Sequence, residues 1–296
     1  MRILITGAQG FIGKSLKSLF EKSKNFNILC PNSKELNLLN GEKVLKYLSS
    51  HDIDWVIHSA NHHWHPRDSK SKSKVDQLSS NLIMYSNLIN NRKYYGELIY
   101  FGSGAELPRN LWNESISETD IGSIIPSDSY GMSKFLMNEN CRQRDDLFNL
   151  RLFGVCGEFD DWRFRFISNM CVLAVNNKDL TINQNSYFDY LYTYDLYKII
   201  IRFIENKPSY GDYNVCTSNT LKLTELAEIV KTISKKKLNI KVTNPGIGIR
   251  YGGVNNKLLN KIGKFNFTPM NQVIENILKY LTEKKDDNNV NEIVIK

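Results

Sequence analysis

Thr6-Gly7-Ala8-Gln9-Gly10-Phe11-Ile12-Gly13 (TGAQGFIG) follows directly on the apolar run Arg2–Thr6 (RILIT) and opens Phe11–Lys22, a segment with helical spacing. Glycines in the pattern G-x-x-G-x-x-G let the chain turn tightly between a strand and a helix. They also let the backbone approach a pyrophosphate, to which the start of the helix offers free N–H groups and a positive dipole end. A lone glycine pattern is weak, but this one stands between strand and helix, the context that dinucleotide binding requires. Gly7, Gly10, Phe11, Ile12 and Gly13 are therefore candidate cofactor-binding residues.

Outward from that turn, strand-length apolar runs alternate with amphipathic helical segments. Asn27–Cys30, Asp54–His58, Glu97–Gly102 and Phe148–Phe153 read as strands, and Glu42–Ser50, Val75–Asn91 and Tyr130–Gln143 as helices. Such alternation predicts an α/β chain, with a parallel sheet covered by helices on both faces. The second half is more broken. Trp162–Val175 reads as a helix, Tyr187–Tyr194 as an aromatic strand and Asp195–Glu205 as a helix. Tyr213–Cys216, Leu223–Ile233 and Asn239–Val242 follow as strand, helix and strand, with a final helix over Asn271–Leu281 and a polar tail from Glu283 expected to fray.

Composition excludes several classes. No apolar run approaches membrane length, so a soluble cytoplasmic protein is expected. The five cysteines (Cys30, Cys141, Cys156, Cys171, Cys216) lack C-x-x-C spacing and read as reduced thiols, Cys30 within a buried strand. His62, His63 and His65 match no standard zinc pattern, and no metal is expected. The net charge of +8 suits an anionic partner, but its lysines are spread along the chain, apart from Lys70, Lys72 and Lys74 in the charged loop Arg67–Ser73 and Lys235–Lys237. A phosphorylated small molecule fits better than nucleic acid.

The end of the second strand bears on the choice of cofactor. An acidic side chain there would bind the adenosine ribose and repel a 2′-phosphate. The sequence instead reads Cys30-Pro31-Asn32-Ser33-Lys34, so Asn32, Ser33 and Lys34 favour NADP, with NAD still open. Further on, Tyr130-Gly131-Met132-Ser133-Lys134 is Y-x-x-x-K, which puts both side chains on one helical face. A phenol is a poor acid or base at neutral pH, and the Lys134 ammonium is expected to lower the Tyr130 pKa toward a working range. Ser103, just past the fourth strand, stands where ligands of parallel sheets gather and can polarise a carbonyl oxygen. Ser103, Tyr130 and Lys134 are the candidate catalytic residues, with Tyr130 and Lys134 also at the cofactor.

These residues resemble the extended short-chain dehydrogenase/reductase family, also called the NAD-dependent epimerase/dehydratase family. The resemblance runs over nearly the whole chain. It takes in Thr6–Gly13, His58-Ser59-Ala60-Asn61, Tyr130–Lys134, Asp189–Leu196 (DYLYTYDL) and Tyr213-Asn214-Val215. It implies a Rossmann-type doubly wound parallel sheet with a smaller C-terminal α/β substrate domain. The boundaries expected are residues 1–160 with 187–212 returning to the first domain, 161–186 with 213–284 as substrate domain, and 285–296 as tail. It implies cofactor contacts at Ser59, Ala60 and Asn61, and a homodimer built on Val75–Asn91 and Tyr130–Arg144. Asn32–Leu39 and Asn81–Leu88 are similar to segments of GDP-fucose synthase and the dTDP-4-keto-sugar reductases, which adds Asn37 and Leu38 to the cofactor set.

Departures from the family pattern narrow the reaction. Gly104-Ala105 follow Ser103 where the sugar dehydratases have Asp-Glu, so water elimination is not expected. Ala105 replaces the cysteine of GDP-fucose synthase, and no histidine follows His65, which argues against double epimerisation. Phe188 replaces an arginine that often binds substrate phosphate, and Arg163 and Arg165 are expected to take over that contact. With Ser103, Gly104, Ala105 and Tyr130 they form the candidate substrate-binding set. The expectation is NADPH-dependent reduction of a nucleoside-diphosphate 4-keto-6-deoxy sugar, or a related keto-heptose, for surface polysaccharide. An epimerase with transiently oxidised substrate on bound NAD is the nearest alternative, and a dinucleotide sensor without turnover the next.

Overall fold

The computed structural model describes residues 1–62 and 76–286. His63, His65, the charged loop Arg67–Ser73 with Lys70, Lys72 and Lys74, and the tail beyond 286 lie outside the described residues. In chain order the elements are β1 (Arg2–Thr6), α1 (Phe11–Ser23), β2 (Asn27–Leu29), α2 (Gly41–Ser50), β3 (Ile53–His58), α3 (Gln77–Ile89) and β4 (Tyr95–Ser103). Next come α4 (Ser129–Arg142), β5 (Leu147–Leu152), β6 (Gly154–Cys156), α5 (Phe166–Val175), β7 (Leu180–Tyr192) and α6 (Thr193–Asn206). The chain continues through β8 (Gly211–Val215), β9 (Thr220–Lys222), α7 (Leu223–Ser234), β10 (Ile240–Tyr251), α8 (Asn256–Ile262) and α9 (Met270–Asp286).

Six strands form one parallel sheet in the order β2-β1-β3-β4-β5-β8. The order reverses between β1 and β3, and the glycine turn leaves β1 at that switch point, where ligands of such sheets bind. Successive β1 side chains feed two cores. Ile3 and Ile5 pack with Leu16 and Phe20 of α1 and with Ile199 and Phe203 of α6. Leu4 packs on the opposite face with Val44 of α2, Leu88 of α3 and Met137 of α4. Burying each such side chain contributes roughly 1.5–3 kcal/mol, which is why the strands read as unbroken apolar runs.

The second sheet is built on β7, which pairs in parallel with β10 and β6 and antiparallel with β9. Its apolar face packs with α5, α7 and α9 through Ile182, Cys171, Leu226 and Ile277. A fourth cluster, with Leu107, Ile116, Phe135, Phe153, Cys216 and Tyr251, joins the two sheets beside the end of β4.

Several elements differ from the sequence expectation. The helix expected from Trp162 starts at Phe166, because Asp161 accepts the Phe164 and Arg165 amides in a turn. Tyr194 lies in α6, not in the aromatic strand, which ends at Tyr192. Cys30 falls just past β2, half-buried. β10 runs on from Val242 to Tyr251, but it is largely exposed and carries no apolar pattern to announce it. The helix expected to end at Leu281 continues through Asp286, past the onset of the expected tail. The expected return of the chain at residue 187 comes later, at α6, because β7 belongs to the small sheet up to Tyr192. β8 lies wholly in the large sheet, although a boundary at 213 would divide it.

The buried carboxylate of Asp195, in the first turn of α6, accepts from the Thr268 amide at 2.7 Å and the Thr268 hydroxyl at 2.9 Å, fixing the approach to α9. Asp195→Ala is expected to cost roughly 2–3 kcal/mol, the range for hydrogen bonds to a charged acceptor. Urea unfolding should show a lower midpoint while dinucleotide binding persists.

Candidate active site

The glycine turn is shaped for close backbone contact. Gly7 has φ +68°, and a Cβ there would lie 2.5 Å from Ala60. A Cβ on Gly13 would meet the Gly7 carbonyl oxygen at 2.3 Å. No side chain caps α1 at Gly10, so the helix N-terminus presents its amides, as a bound pyrophosphate requires. Ser59 and Ala60 lie directly beside this turn. The Ser59 amide donates to the Thr6 carbonyl, and the Ala60 amide to the Thr6 hydroxyl. Thr6 is held in turn by His58 at 2.8 Å, a fully buried ring whose pKa burial pulls down to about 3, so it stays neutral. Asn61 is exposed beyond Ala60.

At the end of β2, Asn32 and Glu35 cap one turn reciprocally. The Asn32 side chain accepts from the Lys34 amide at 2.9 Å, and the Glu35 carboxylate from the Asn32 amide at 2.8 Å. Glu35 is thus engaged within its own turn, while Ser33 and Lys34 are exposed. Asn37 braces the following turn through the Leu39 amide, and the Leu38 carbonyl accepts from Asn87 of α3.

Ser103, Tyr130 and Lys134 come together, and local sequence explains why. Asp128 caps α4 by accepting from the Gly131 amide at 2.9 Å, which places Tyr130 in the first turn. Gly131 lets this turn lie on the Ser103 loop, since a Cβ there would sit 2.5 Å from the Ala105 carbonyl oxygen. The Ser103 hydroxyl lies close enough to the Tyr130 phenol to draw its pKa down. The Lys134 ammonium donates to the Phe101 carbonyl at 2.8 Å and lies 5.8 Å from the centre of the Tyr130 ring.

Electrostatics correct one expectation. Burial raises the Tyr130 pKa above its ordinary value, and the opposing influences are the Ser103 hydrogen bond and the charge of Arg165. The expected lowering by Lys134 is not what dominates, because desolvation of a phenolate outweighs it. Burial also pulls Lys134 down, to about 8, against the nearby carboxylate of Glu106. The phenol therefore holds its proton at neutral pH, as a proton donor must.

Of the remaining substrate candidates, Gly104 makes room for Tyr251, whose hydroxyl would meet a Cβ there at 2.4 Å. Ala105 is buried. The Arg163 guanidinium pairs with Asp161 at 2.5 Å, whereas the exposed Arg165, held loosely by the buried Asp160 at 3.8 Å, acts on both Tyr130 and Tyr190. A cavity of about 190 Å³ opens nearby among Phe188, Tyr190, Thr217, Asn219 and Phe267.

Sequence reasoning missed two residues. Tyr251, at the end of β10, brings its hydroxyl against the Ser103 turn and packs on Trp112 at 4.0 Å and Phe153 at 5.3 Å. Nothing local in sequence announces it. Glu106 caps the Ser103 turn reciprocally, and the S-x-x-E spacing was there to be read. Among the described residues no group of three His, Cys, Asp or Glu side chains is arranged to hold a metal. No helix among them is long and apolar enough to cross a membrane.

A dinucleotide cradle at the switch point and a Ser-Tyr-Lys cluster beside it define a dinucleotide-dependent oxidoreductase. The chain belongs to the NAD dependent epimerase/dehydratase family, which it matches over residues 3–216. It is 24% identical to GDP-L-colitose synthase of Yersinia pseudotuberculosis, over 97% of this chain and 100% of that one. It is 26% identical to GDP-6-deoxy-D-talose 4-dehydrogenase of Aggregatibacter actinomycetemcomitans, over 94% and 97%. Among solved structures, GDP-mannoheptose C4 reductase from Campylobacter jejuni with NADP bound superposes with a TM-score of 0.81 at 18% identity, covering 95% of this chain and 98% of that one.

Gly13→Ala is expected to weaken dinucleotide binding at least about tenfold, or about 1.4 kcal/mol, by opening the cradle. Fluorescence titration with NADPH measures this directly.

Proposed function

We propose that the protein reduces the 4-keto group of a nucleoside-diphosphate 4-keto-6-deoxy sugar, or of a related keto-heptose, with NADPH, toward surface polysaccharide precursors. The observation that carries this reading is the protonated Tyr130 phenol, gathered with Ser103 and backed by Lys134. The activities named for the relatives, a 4-dehydrogenase and a C4 reductase acting on GDP-linked sugars, support the same position and substrate class.

When bound, the reduced nicotinamide supplies the hydride that adds to the keto carbon. Ser103 donates a hydrogen bond to the carbonyl oxygen and polarises it. Tyr130 delivers the proton that the oxygen needs as its charge develops. Lys134 stabilises the phenolate left behind, and the N–H groups not given to Phe101 would hold the nicotinamide ribose. Arg165 faces this cleft and suits the substrate diphosphate, since a guanidinium fork matches phosphate oxygens. Arg163 is the weaker candidate because its fork is engaged by Asp161.

Exposed Ser33 and Lys34 beside the self-capped Glu35 support NADP over NAD. Exposed Ile83 of α3 and Leu136 of α4, on helices packed together, support a homodimer.

Two measurements test the reading. GDP-, dTDP- and CDP-linked 4-keto-6-deoxy sugars offered with NADPH should give a drop in absorbance at the nicotinamide band and a 4-hydroxy product by NMR. Tyr130→Phe should lower turnover by roughly 10²-fold or more with NADPH affinity nearly intact. Undiminished turnover would remove Tyr130 from the mechanism, and sugar interconversion without NADPH consumption would favour the epimerase. Separately, Lys34→Glu should shift preference from NADPH toward NADH by roughly tenfold or more in kcat/KM, as a carboxylate there repels the 2′-phosphate.

A further inference from the structure

Glu106 is a fully buried carboxylate three residues after Ser103, and both of its oxygens are committed. Oε1 accepts from the Ser103 amide at 3.0 Å and from Asn149 at 3.4 Å, and Oε2 from the Arg151 guanidinium at 2.7 Å. The chain makes room for it. A Cβ on Gly102 would lie 2.3 Å from Oε1, so only glycine fits between the carboxylate and the end of β4.

We propose that Glu106 is a positioning residue of this site, fixing the Ser103 turn through its main chain and supplying the buried counter-charge that keeps Lys134 an ammonium. The inference rests on the ketoreductase reading above. A buried ammonium is strongly disfavoured unless a carboxylate or polar groups compensate it. Around Lys134, α4 contributes the Tyr130 ring and β4 only the Phe101 carbonyl. β3 contributes His58, which is neutral and adds no counter-charge. The turn after β4 contributes Glu106, whose Oε1 lies against Gly102, next to the Phe101 carbonyl that Lys134 holds; among the described residues it is the one carboxylate that acts on Lys134. Behind it, Arg151 of β5 opposes the upward pull of burial on the Glu106 carboxyl, and Asp212 of β8 occupies the far side of that guanidinium at 2.7 Å.

The sign of the effect follows. Removing the carboxylate favours neutral Lys134, so its midpoint, about 8 in the native protein, moves to lower pH. Reduction supported by the ammonium then fails earlier on the alkaline side. The test compares wild type, Glu106→Gln and Glu106→Asp. The alkaline limb of kcat for NADPH-dependent reduction should fall by roughly half a pH unit or more in Glu106→Gln. Glu106→Asp, which keeps the charge one methylene further away, should show a smaller shift in the same direction. The Lys134 ε-carbon, followed by NMR in 13C-lysine protein and assigned by its loss in Lys134→Arg, should move in parallel without any substrate.

A merely structural Glu106 would lower the melting temperature and scale activity down, leaving both midpoints in place. That result would overturn the proposal. If Glu106→Gln proves insoluble, an unmoved Lys134 midpoint in Glu106→Asp does the same. Wild-type protein inactive on every keto sugar would instead defeat the functional reading, and the NMR titration would still decide the role of Glu106.

Discussion

A guanidinium leaves water only if its N–H groups find acceptors, and Arg151, fully buried near the C-terminal end of β5, meets that condition through four side chains. Nε donates to Glu106 at 2.7 Å, Nη1 to Asn214 at 2.9 Å, and Nη2 to Asn138 at 3.0 Å and Asp212 at 2.7 Å. Those partners belong to the turn after β4, to β8 and to α4. One cation thereby sets the relative positions of three neighbouring elements that meet at the candidate site. The network ends at the surface, where Asp212 also pairs with Lys257 at 3.1 Å and Arg142 at 3.2 Å. Against the upward pull of burial, Arg151 first and then these two cations hold its carboxyl down at about 2. Such a lattice adds little net stability, but removing one member strands a charge, so its geometry is tightly enforced.

That enforcement reaches the chemistry through close backbone approach. Gly102 lets Glu106 lie against β4, Gly131 lets α4 lie on the Ser103 turn, and Gly104 admits the Tyr251 hydroxyl. Each glycine removes a Cβ that would separate two of the groups gathered around Ser103. The serine hydroxyl is thus contacted by phenols from α4 and β10 while its own amide is tied to Glu106. Positioning of this kind is inexpensive at the moment of reaction, because the dipoles are already oriented.

Those contacts divide what was legible in sequence from what was not. The cradle, Y-x-x-x-K and the serine that ends β4 are local patterns, and the six-stranded parallel sheet follows from apolar runs buried on both faces. Tyr251 was invisible because it meets Ser103 from 148 positions away, on a strand whose exposed residues show no period. The three-residue strands β6 and β9 were too short to carry any pattern. The direction of the Tyr130 shift was misjudged for a related reason. Spacing shows that a lysine is near, but only packing shows how thoroughly the phenol is removed from water.

The same distinction separates Arg163 from Arg165, which occupy near-identical sequence surroundings. The turn at Asp161 captures the first guanidinium in a bidentate pair through Nε at 2.8 Å and Nη2 at 2.5 Å. It leaves the second, immediately before α5, with only a 3.8 Å contact to Asp160. A pair so loosely held loses little when a stronger anion arrives, and a diphosphate offers both more charge and better fork geometry than one carboxylate. Phe188 stacks with Tyr190, 5.7 Å away, and carries no charge, so in the proposed reaction a cation for the diphosphate has to come from elsewhere in the chain. On the proposed reading Arg165, whose field acts on both Tyr130 and Tyr190, supplies that cation. It would join substrate binding and the acidity of the proton donor in one side chain.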